Sequence, residues 1–577
     1  MPVHNSDVAD IFNEIADLLD IQGGNPFRIR AYRNAARTVG GLSANIAEMV
    51  HEGKDLSAIQ GIGKDLSAKI VEIVRTGTLP LLADLEASVP AELSVMMKVQ
   101  GLGPKKIKKM YEELDIQSLE DLKNAAEGGT IRSLPGFGEK TEQSIIEELK
   151  RIQGQKKAGK ERIKLAEAER IAGPLLEYLK GVKGIKDIAA AGSFRRRKET
   201  VGDLDILCTC KKNAGVMERF VEYEDVAKVL AKGKTKSSVA LRRGLQVDLR
   251  VVPQASFGAA LVYFTGSKEH NIAIRKIAVR RNLKINEYGV FKGEKRIAGS
   301  SEKSVYARVD LPYIEPELRE NRGEIEAAQD GGLPDLVAID HIKGDLHAHT
   351  KATDGHHSLE EMVRAALERG YEYLAITDHS RHVTVAHGLD EKRLSRQIDE
   401  IEKYNQKQDD IEILKSIELD ILEDGSLDLP DDILGRLDLV ICSIHSKFNL
   451  SREEQTGRVI RAMDNPHFNI FCHPTGRLIN ERRPYEIDME KIVRAARERG
   501  CFLELNAHPD RLDINDFHCK MAREMRVKIA VSTDAHRLDD FDFMKYGIGQ
   551  ARRGWLGPAD VLNTRSWKSL KKLIRRK

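Results

Sequence analysis

The first 150 residues alternate apolar and polar positions with the period of short amphipathic helices. Three segments repeat one pattern, in which Gly, an apolar residue and Gly precede such a helix. They are IQGIGKDLSAKIVEIV (59–74), VQGLGPKKIKKMYEEL (99–114) and LPGFGEKTEQSIIEEL (134–149). Glycines permit a tight turn, and the free N–H groups at the following helix start can hold a phosphate. Because the pattern occurs three times, phosphate binding is favoured over a plain helix connector.

From about residue 153 a linker and a helix lead into short apolar runs that predict strands, among them DLDILCTC and LQVDLRVVP. Asp203 and Asp205 interrupt one run. Side chains at i and i+2 of a strand share a face, with α-carbons about 6.6 Å apart. Asp248 can join them from a neighbouring strand. Since three carboxylates repel one another, this arrangement predicts two Mg²⁺ ions and phosphoryl transfer, in preference to ordinary turn or edge residues.

The segment before these aspartates is rich in phosphate-binding groups. In GSFRRRKETVGDLDIL (192–207), a Gly-Ser turn exposes backbone N–H groups, and three arginines and Lys198 follow. Guanidinium groups offer forked donors to phosphate oxygens. A run of arginines alone is usually a solvated surface. Next to Gly-Ser and the aspartate pair, it predicts a cradle for a triphosphate.

Beyond an acidic Gly/Pro-containing segment (322–344) that is typical of a linker, short apolar strands alternate with helical segments. Seven strand–helix units predict a parallel barrel, with its chemistry at the carboxyl ends of the strands. A single histidine is more often an ordinary surface residue, but ligand-type residues end at least six of these strands. They are His347, His349, Asp354, His379, Glu418, His445, His473, Asp534 and His536.

The composition of the chain limits the number of domains and the kinds of partner and site that it can have. The 577 residues are 41% hydrophobic, which supports several cores, and a net charge of +3 does not by itself indicate a nucleic-acid partner. Of 17 histidines, 14 lie at or beyond His341. The six cysteines lack a disulfide spacing, and Cys208 and Cys210 are only half of a zinc site. The sequence has no apolar run long enough to span a membrane.

The segment 192–207 resembles the signature of family X DNA polymerases, in the nucleotidyltransferase superfamily. YFTGSKEHNIAIR (263–275), INEYGVF (285–291) and ELREN (317–321) extend the resemblance. It implies that Asp203, Asp205 and Asp248 are catalytic and bind Mg²⁺, with Asp248 accepting the primer 3′-hydroxyl proton. The implied contacts of the incoming deoxynucleoside triphosphate are Gly192, Ser193, Arg196, Gly202, Tyr263, Phe264, Gly266, Asn271 and Arg275.

The three glycine patterns resemble the helix-hairpin-helix element, which grips a nucleic-acid backbone without reading bases. The implied DNA-binding residues are Gly61, Gly63, Gly101, Gly103, Gly136 and Gly138. NPFRIRAYRNAARTV (25–39) resembles the lyase domain of these polymerases, with Lys69 as the Schiff-base lysine and Arg28 as a cation for a 5′-phosphate. Asp65 replaces the basic neighbour of the family. A solvated lysine or a DNA-backbone contact is therefore favoured over lyase activity for Lys69.

The ligands at the strand ends resemble the polymerase and histidinol phosphatase (PHP) family, whose complete forms hold three metals. The implied sets are His347, His349, Glu418 and Asp534 for the first ion, Glu418, His445 and His473 for the second, and Asp354, His379 and His536 for the third. Imidazole-rich sites suit Zn²⁺ or Mn²⁺, and a metal-bound hydroxide would attack a phosphate ester. Arg477 is either a contact of the scissile phosphate or a surface charge.

These resemblances predict a multidomain fold. Its parts are a lyase-like helical domain (1–85), a fingers-like domain with two helix-hairpin-helix motifs (86–152), an α+β nucleotidyltransferase palm (153–257), a thumb (258–320), a linker (321–340) and a distorted (β/α)7 PHP barrel (341–577).

The predicted function is a DNA polymerase that fills short gaps in DNA repair, with a metal-dependent 3′-5′ exonuclease. Cleavage at abasic sites or removal of 3′-phosphates is an additional activity that the family allows. The expected partners are gapped or primer-template DNA and dNTPs, without a membrane, for a monomer in the cytoplasm at the nucleoid. The alternatives are a template-independent nucleotidyltransferase and a DNA-binding scaffold for the nuclease.

Overall fold

The computed structural model describes residues 5–42, 46–59, 61–88, 104–134, 162–211 and 214–574, together with residues 93, 96, 102, 137, 138, 142 and 145. The chain divides into two compact units, Met1–Glu161 and Arg162–Lys577. In the part of the chain that is described, no helix is both long and apolar enough to cross a bilayer.

The first unit is helical. Its described helices are α1 (Asn5–Ile21), α2 (Pro26–Gly40), α3 (Ile46–His51), α4 (Lys64–Thr76), α5 (Pro80–Ser88), α6 (Pro104–Leu114) and α7 (Leu119–Glu127). The side chain of Asn25 caps α2, where Pro26 occupies the first position. The rings of Phe12 and Tyr32 pack edge to face with centroids 5.5 Å apart. One buried apolar cluster extends from Val8 to Ile145, so both predicted helical domains contribute to one core.

The second unit begins with the predicted palm and thumb. Its strands here are β1 (Ile163–Lys164), β2 (Ile185–Ala190), β3 (Thr200–Val201), β4 (Asp203–Cys210), β5 (Val226–Lys232), β6 (Lys236–Leu241), β7 (Gln246–Val251), β8 (Lys284–Asn286), β9 (Gly289–Lys292) and β10 (Lys295–Ala298). The helices are α8 (Leu165–Lys180), α9 (Gly192–Arg195), α10 (Val216–Val221), α11 (Phe257–Thr265), α12 (Lys268–Arg280), α13 (Glu302–Ala307) and α14 (Glu324–Gln329). The palm sheet has the order β2-β4-β7-β6-β5, in which only β4 and β7 are parallel neighbours.

The C-terminal part alternates strands and helices. The strands are β11 (Gly344–Asp345), β12 (Tyr373–Ile376), β13 (Glu412–Lys415), β14 (Glu418–Asp420), β15 (Ile441–Ser443), β16 (Ile470–Phe471), β17 (Phe502–Asn506) and β18 (Ile529–Ser532). The helices are α15 (Leu359–Glu368), α16 (Glu391–Asn405), α17 (Asp431–Leu434), α18 (Arg452–Ala462), α19 (Met489–Arg499), α20 (Asp516–Glu524), α21 (Met544–Arg553) and α22 (Trp567–Ile574).

All strands of the C-terminal part are parallel and form two sheets, β11-β12-β13 and β14 to β18 in order. A bridge between His379 and Glu418 joins the sheets at one side, and one between Ala348 and Ala535 joins them at the other. The carboxyl ends of the strands therefore meet at one rim. The closed seven-stranded barrel itself stays a prediction.

The segment expected as a linker, 321–340, is instead packed. It contains α14, and Ile325, Ala328 and Leu336 are buried in the apolar cluster of the thumb. The Glu324 carboxylate is fully buried and lies 2.6 Å from Nδ1 of His270. The segment was expected as a linker because its Gly-Gly pair and acidic residues outweighed these apolar positions in the composition.

Contacts also join the palm directly to the C-terminal part. Glu169 on α8 accepts hydrogen bonds from Lys545 and Tyr546 on α21, at 2.7 and 2.8 Å. The Arg477 guanidinium donates to Glu199 at 2.7 Å and to the carbonyl oxygen of Leu512 at 2.6 Å. Arg477 is thus a contact between domains. Neither of the two alternatives stated for Arg477, a contact of the scissile phosphate and a surface charge, includes such a contact.

Candidate active sites

The three aspartates predicted as the polymerase site lie on adjacent strands. Asp205 on β4 is directly opposite Asp248 on β7, and Asp203 is two residues earlier on β4, so all three share one face. Burial, and then the negative charges of Asp203 and Asp248, raise the pKa of Asp205 to about 6. Asp248 accepts from Lys236 at 2.9 Å and from Gln246 at 3.0 Å. Burial opposes its ionisation, but these bonds outweigh it and lower the pKa of Asp248.

Gly192 brings the Gly-Ser turn onto this carboxylate group. It has φ +65°, and a Cβ at this position would lie 2.9 Å from Oδ2 of Asp205. Only glycine adopts this conformation freely and leaves room for the aspartate. The turn at Gly266 is held differently, because the Asn271 side chain donates to the carbonyl oxygens of Tyr263 and Gly266, at 2.7 and 3.2 Å.

A cavity of about 680 Å³ lies beside these turns. The residues of the predicted polymerase site that line it are Gly192, Ser193, Arg196, Asp203, Asp205, Phe264 and Gly266. Those outside its lining are Gly202, Asp248, Tyr263, Asn271 and Arg275. Arg162 also lines the cavity and donates to the Thr200 side chain at 2.9 Å. We did not predict Arg162, because it follows a polar linker and no local pattern marks it.

The three arginines after the Gly-Ser turn are not free. Each binds a glutamate that is distant in sequence: Arg195 with Glu302 at 2.6 Å, Arg196 with Glu320 at 2.9 Å and Arg197 with Glu169 at 2.9 Å. Arg196 also donates to the Thr265 carbonyl oxygen at 2.7 Å. These ion pairs fix the turn against the thumb and α8. The triphosphate cradle stays a prediction, in which each guanidinium group is already bound to a glutamate.

The predicted PHP ligands converge at the rim of the parallel strands. Groups of ligand atoms within 4.8 Å of one another are His349, Asp354, His379 and His536; His347, His349 and Asp534; His347, Cys472 and Glu504; and His379, Glu418 and His445. His473 lies 2.8 Å from Glu418. All nine predicted ligands are therefore brought together. Cys472 and Glu504 are additional members, and an acidic residue inside the apolar strand CFLELN was the available signal for Glu504.

Buried charge dominates this cluster. Glu418 is 1% exposed, and burial disfavours its ionisation, but nearby His379, His445 and His347 hold its pKa well below the usual range. In return, Glu418 and Asp354 outweigh burial and raise the pKa of His379. Nδ1 of His349 is buried and has no hydrogen-bond partner among the described residues. Nitrogen and oxygen donors so arranged fit divalent metal ions, whose binding would displace the protons on these histidines.

The residues considered for lyase activity lie together in the first unit. Lys69 on α4 forms an ion pair with Asp65. Its Nζ lies 6.0 Å from the centroid of the Tyr32 ring, and the Arg28 guanidinium lies 5.9 Å from the same ring. A single face thus carries two cations that can contact a phosphate backbone.

The first glycine pattern forms the predicted turn. Gly61 has φ +90°, and Gly63 precedes α4 without a side-chain cap. Its helix start therefore has N–H groups available to a phosphate. Gly138 lies in the described part of the third pattern, whereas Gly101, Gly103 and Gly136 lie outside the described residues.

Comparison with known proteins agrees with this division. Family models match as Helix-hairpin-helix domain over residues 3–79, SAM-like Helix-hairpin-helix tandem over 93–151, DNA polymerase beta thumb over 260–320 and PHP domain over 345–508. The predicted fold class of helix-hairpin-helix domains, polymerase thumb and C-terminal PHP domain is confirmed.

Individual relatives cover the chain in two ways. A probable phosphatase of Thermoanaerobacter sp. (strain X514) is 33% identical over 38% of this chain and 89% of its own length. A probable phosphatase of Acetivibrio thermocellus is 36% identical over 33% and 78%. The DNA polymerase/3′-5′ exonuclease PolX of Bacillus subtilis (strain 168) is 40% identical over the full length of both chains. The chain therefore belongs to the PolX family, the family X DNA polymerases that carry a C-terminal PHP domain.

Proposed function

We propose that this protein is a DNA polymerase that fills short gaps in DNA and trims 3′ ends with its PHP domain. The observation that carries the proposal is the in-register pairing of Asp205 with Asp248, with Asp203 on the same face and beside a turn suited to phosphates. Full-length similarity to a polymerase/exonuclease supports it. Because both clusters are built within a single chain, we propose that the enzyme acts as a monomer.

In the polymerase site, Asp203, Asp205 and Asp248 would hold two Mg²⁺ ions. When bound, such ions neutralise the triphosphate and stabilise the developing charge of the transfer. The remaining groups position the substrates. Gly192 and Ser193 present backbone N–H groups to phosphate oxygens. Asp248, which Lys236 and Gln246 hold in its ionised form, accepts the proton of the primer 3′-hydroxyl.

The thumb side of the site shapes the nucleotide pocket. Phe264 lines the cavity, and its ring lies 4.5 Å from the Arg250 guanidinium and packs edge to face on Tyr263. Asn271 fixes the backbone that carries these rings. We propose that this rigid wall meets the sugar of the incoming nucleotide, with Arg275 towards the template.

In the PHP site, the nine rim ligands would hold up to three ions, for which we propose Zn²⁺ or Mn²⁺. Such ions supply a nucleophile at neutral pH and bind phosphate oxygens. Of the protein groups, Glu504 accepts from His347 Nδ1 at 2.6 Å and from the His473 backbone N–H at 2.7 Å, which orients both histidines. Arg511 lies 3.7 Å from Asp534 and is the nearby cation that could contact a substrate phosphate.

The proposal is tested by primer extension on gapped DNA with one type of dNTP offered at a time. Incorporation that follows the template base supports it. Incorporation that ignores the template base would instead establish the template-independent transferase. If the Asp205→Ala variant extends primers as fast as the wild type, the polymerase half is instead a DNA-binding scaffold for the nuclease.

A further inference from the structure

The nucleotide cavity has one wall that belongs to the PHP domain. Asp516 on α20 and Gln550 and Arg553 on α21 line it together with the palm aspartates. At this wall a group of charged side chains, the seam cluster, joins the two domains. Its members are Arg196, Lys198, Glu320, Arg322, Asp516 and Arg553.

Both carboxylates of the seam cluster are shared between arginines. Glu320 accepts from Arg196 at 2.9 Å and from Arg553 at 3.0 Å. Asp516 accepts from Arg553 at 2.6 Å and from Arg322 at 2.9 Å. The Arg553 guanidinium is nearly buried and also donates to the backbone oxygen of Arg196 at 2.8 Å. The PHP domain thus binds the backbone of a predicted nucleotide contact, Arg196, and shares the glutamate that binds its side chain.

Lys198 is the cation of the seam cluster that has no ion pair in this network. It lines the cavity and is half-buried, and among the described residues no carboxylate forms an ion pair with it. The two carboxylates of the seam cluster are already bound by its three arginines, so Lys198 has no carboxylate of the cluster as its partner. Burial, and the neighbouring Arg553 and Arg196, outweigh the nearby carboxylates and lower the pKa of Lys198. A half-buried ammonium group without an ion pair is costly unless an anion neutralises it.

A second polar group on the same wall also has no protein partner. Gln550 is 1% exposed, and neither polar atom of its amide has a hydrogen-bond partner among the described residues. Burying such an amide without a partner costs free energy, which a ligand entering the cavity would offset. The unpaired Lys198 ammonium and the unpaired amide therefore indicate the same occupant, an anion with oxygen acceptors.

We propose that the phosphate tail of the incoming nucleotide lies at the boundary between palm and PHP domain, where Lys198 and Gln550 bind its terminal phosphates. This proposal rests on the proposed polymerase function and adds a site to it. The site is composite, since Lys198 comes from the palm and Gln550 from the PHP domain. Docking of the two domains and nucleotide binding should therefore strengthen each other.

The test uses the full chain and compares Lys198→Met with Lys186→Met. Both variants lose one positive charge, but Lys186 is an exposed residue of β2 and does not line the cavity. Binding of dCTP, dCMP and inorganic tripolyphosphate is measured by calorimetry, with Ca²⁺ as the ion. Lys198→Met should weaken dCTP and tripolyphosphate binding by about 10- to 100-fold, the effect of losing a bond to a charged group, and leave dCMP binding unchanged. Lys186→Met should change none of the three.

An equal loss in both variants would assign the effect to net charge and overturn the proposal, as would an equal loss for dCMP. The role of the PHP wall is tested by Gln550→Leu, which should weaken tripolyphosphate binding without lowering the thermal midpoint, because the lost amide has no partner. Unchanged binding in that variant would remove Gln550 from the site. Tripolyphosphate binding requires no catalysis, so this result stays separate from any failure of the extension assay.

Discussion

Gly192→Ala should disable polymerisation through a single added methyl group. The new Cβ would lie 2.9 Å from Oδ2 of Asp205, whereas ordinary contacts begin at 3.4 Å. The carboxylate must therefore move by roughly half an ångström, since the other side of the contact is backbone. Magnesium tolerates displacements of only about 0.2 Å in its ligand distances. A misplacement of about 1 Å costs about 100-fold in rate, so we expect a loss of roughly 10- to 100-fold in kcat for gap filling.

The matched control is Gly215→Ala. Gly215 has φ +64°, nearly the same as Gly192, but a Cβ there meets nothing within 4 Å. Both substitutions place alanine in the left-handed region, at a cost of about 1–2 kcal/mol. Steady-state extension on a one-nucleotide gap should therefore fall only for Gly192→Ala, while 3′ digestion persists in both. Equal kinetic loss in the two variants would show that backbone strain, and not contact with Asp205, is responsible, and would refute the reasoning.

Three further predictions concern Asp205, the packed segment after the thumb, and Lys69. Because the folded pKa of Asp205, about 6, exceeds its usual 3.8, its carboxyl contributes stability that is present below pH 3.8 and is lost as the pH rises to about 6. In denaturant titrations of the metal-free protein at pH 7, Asp205→Asn should therefore raise the free energy of unfolding by up to about 3 kcal/mol while abolishing extension; an unchanged or lower value would contradict this. His270→Ala removes the hydrogen bond to the buried Glu324 carboxylate, which keeps the backbone N–H groups of Asn321 and Arg322. It should destabilise the second unit by about 1–3 kcal/mol in the same assay, whereas an unpacked segment would give no change. Since Asp65 pairs with Lys69, borohydride should trap no abasic DNA on this residue, and a Lys69-dependent adduct would establish lyase activity.

Those parts of the candidate sites that depend on residues close together in the chain could be predicted from the sequence. The i, i+2 spacing of Asp203 and Asp205 inside an apolar run fixed their common face, and the helix-hairpin-helix turn at Gly61 followed from its glycines. The rim histidines were also predictable, because each comes directly after an apolar strand, and the carboxyl ends of parallel strands meet at one edge.

The contacts between distant segments could not be predicted in this way. The arginine run 195–197 predicted a phosphate cradle. The glutamates that bind these arginines lie on other elements, and two of the three ion pairs join residues more than 100 positions apart in sequence. The same limit applies to Arg477, whose partner Glu199 belongs to another domain. Composition misled for residues 321–340, because the polar average of the segment concealed three buried apolar positions, Ile325, Ala328 and Leu336, that pack against the thumb.

The central claim is that one chain holds two separate metal-dependent sites, one for synthesis and one for 3′ digestion. Paired assays of Asp205→Ala and His347→Ala, with metal analysis of each purified protein, test it most directly. Asp205→Ala should lose gap filling and keep 3′ digestion and its Zn²⁺ or Mn²⁺ content, while His347→Ala should lose 3′ digestion and part of that metal and keep gap filling. Loss of both activities in either folded variant, or of neither, would contradict the assignment of the two sites.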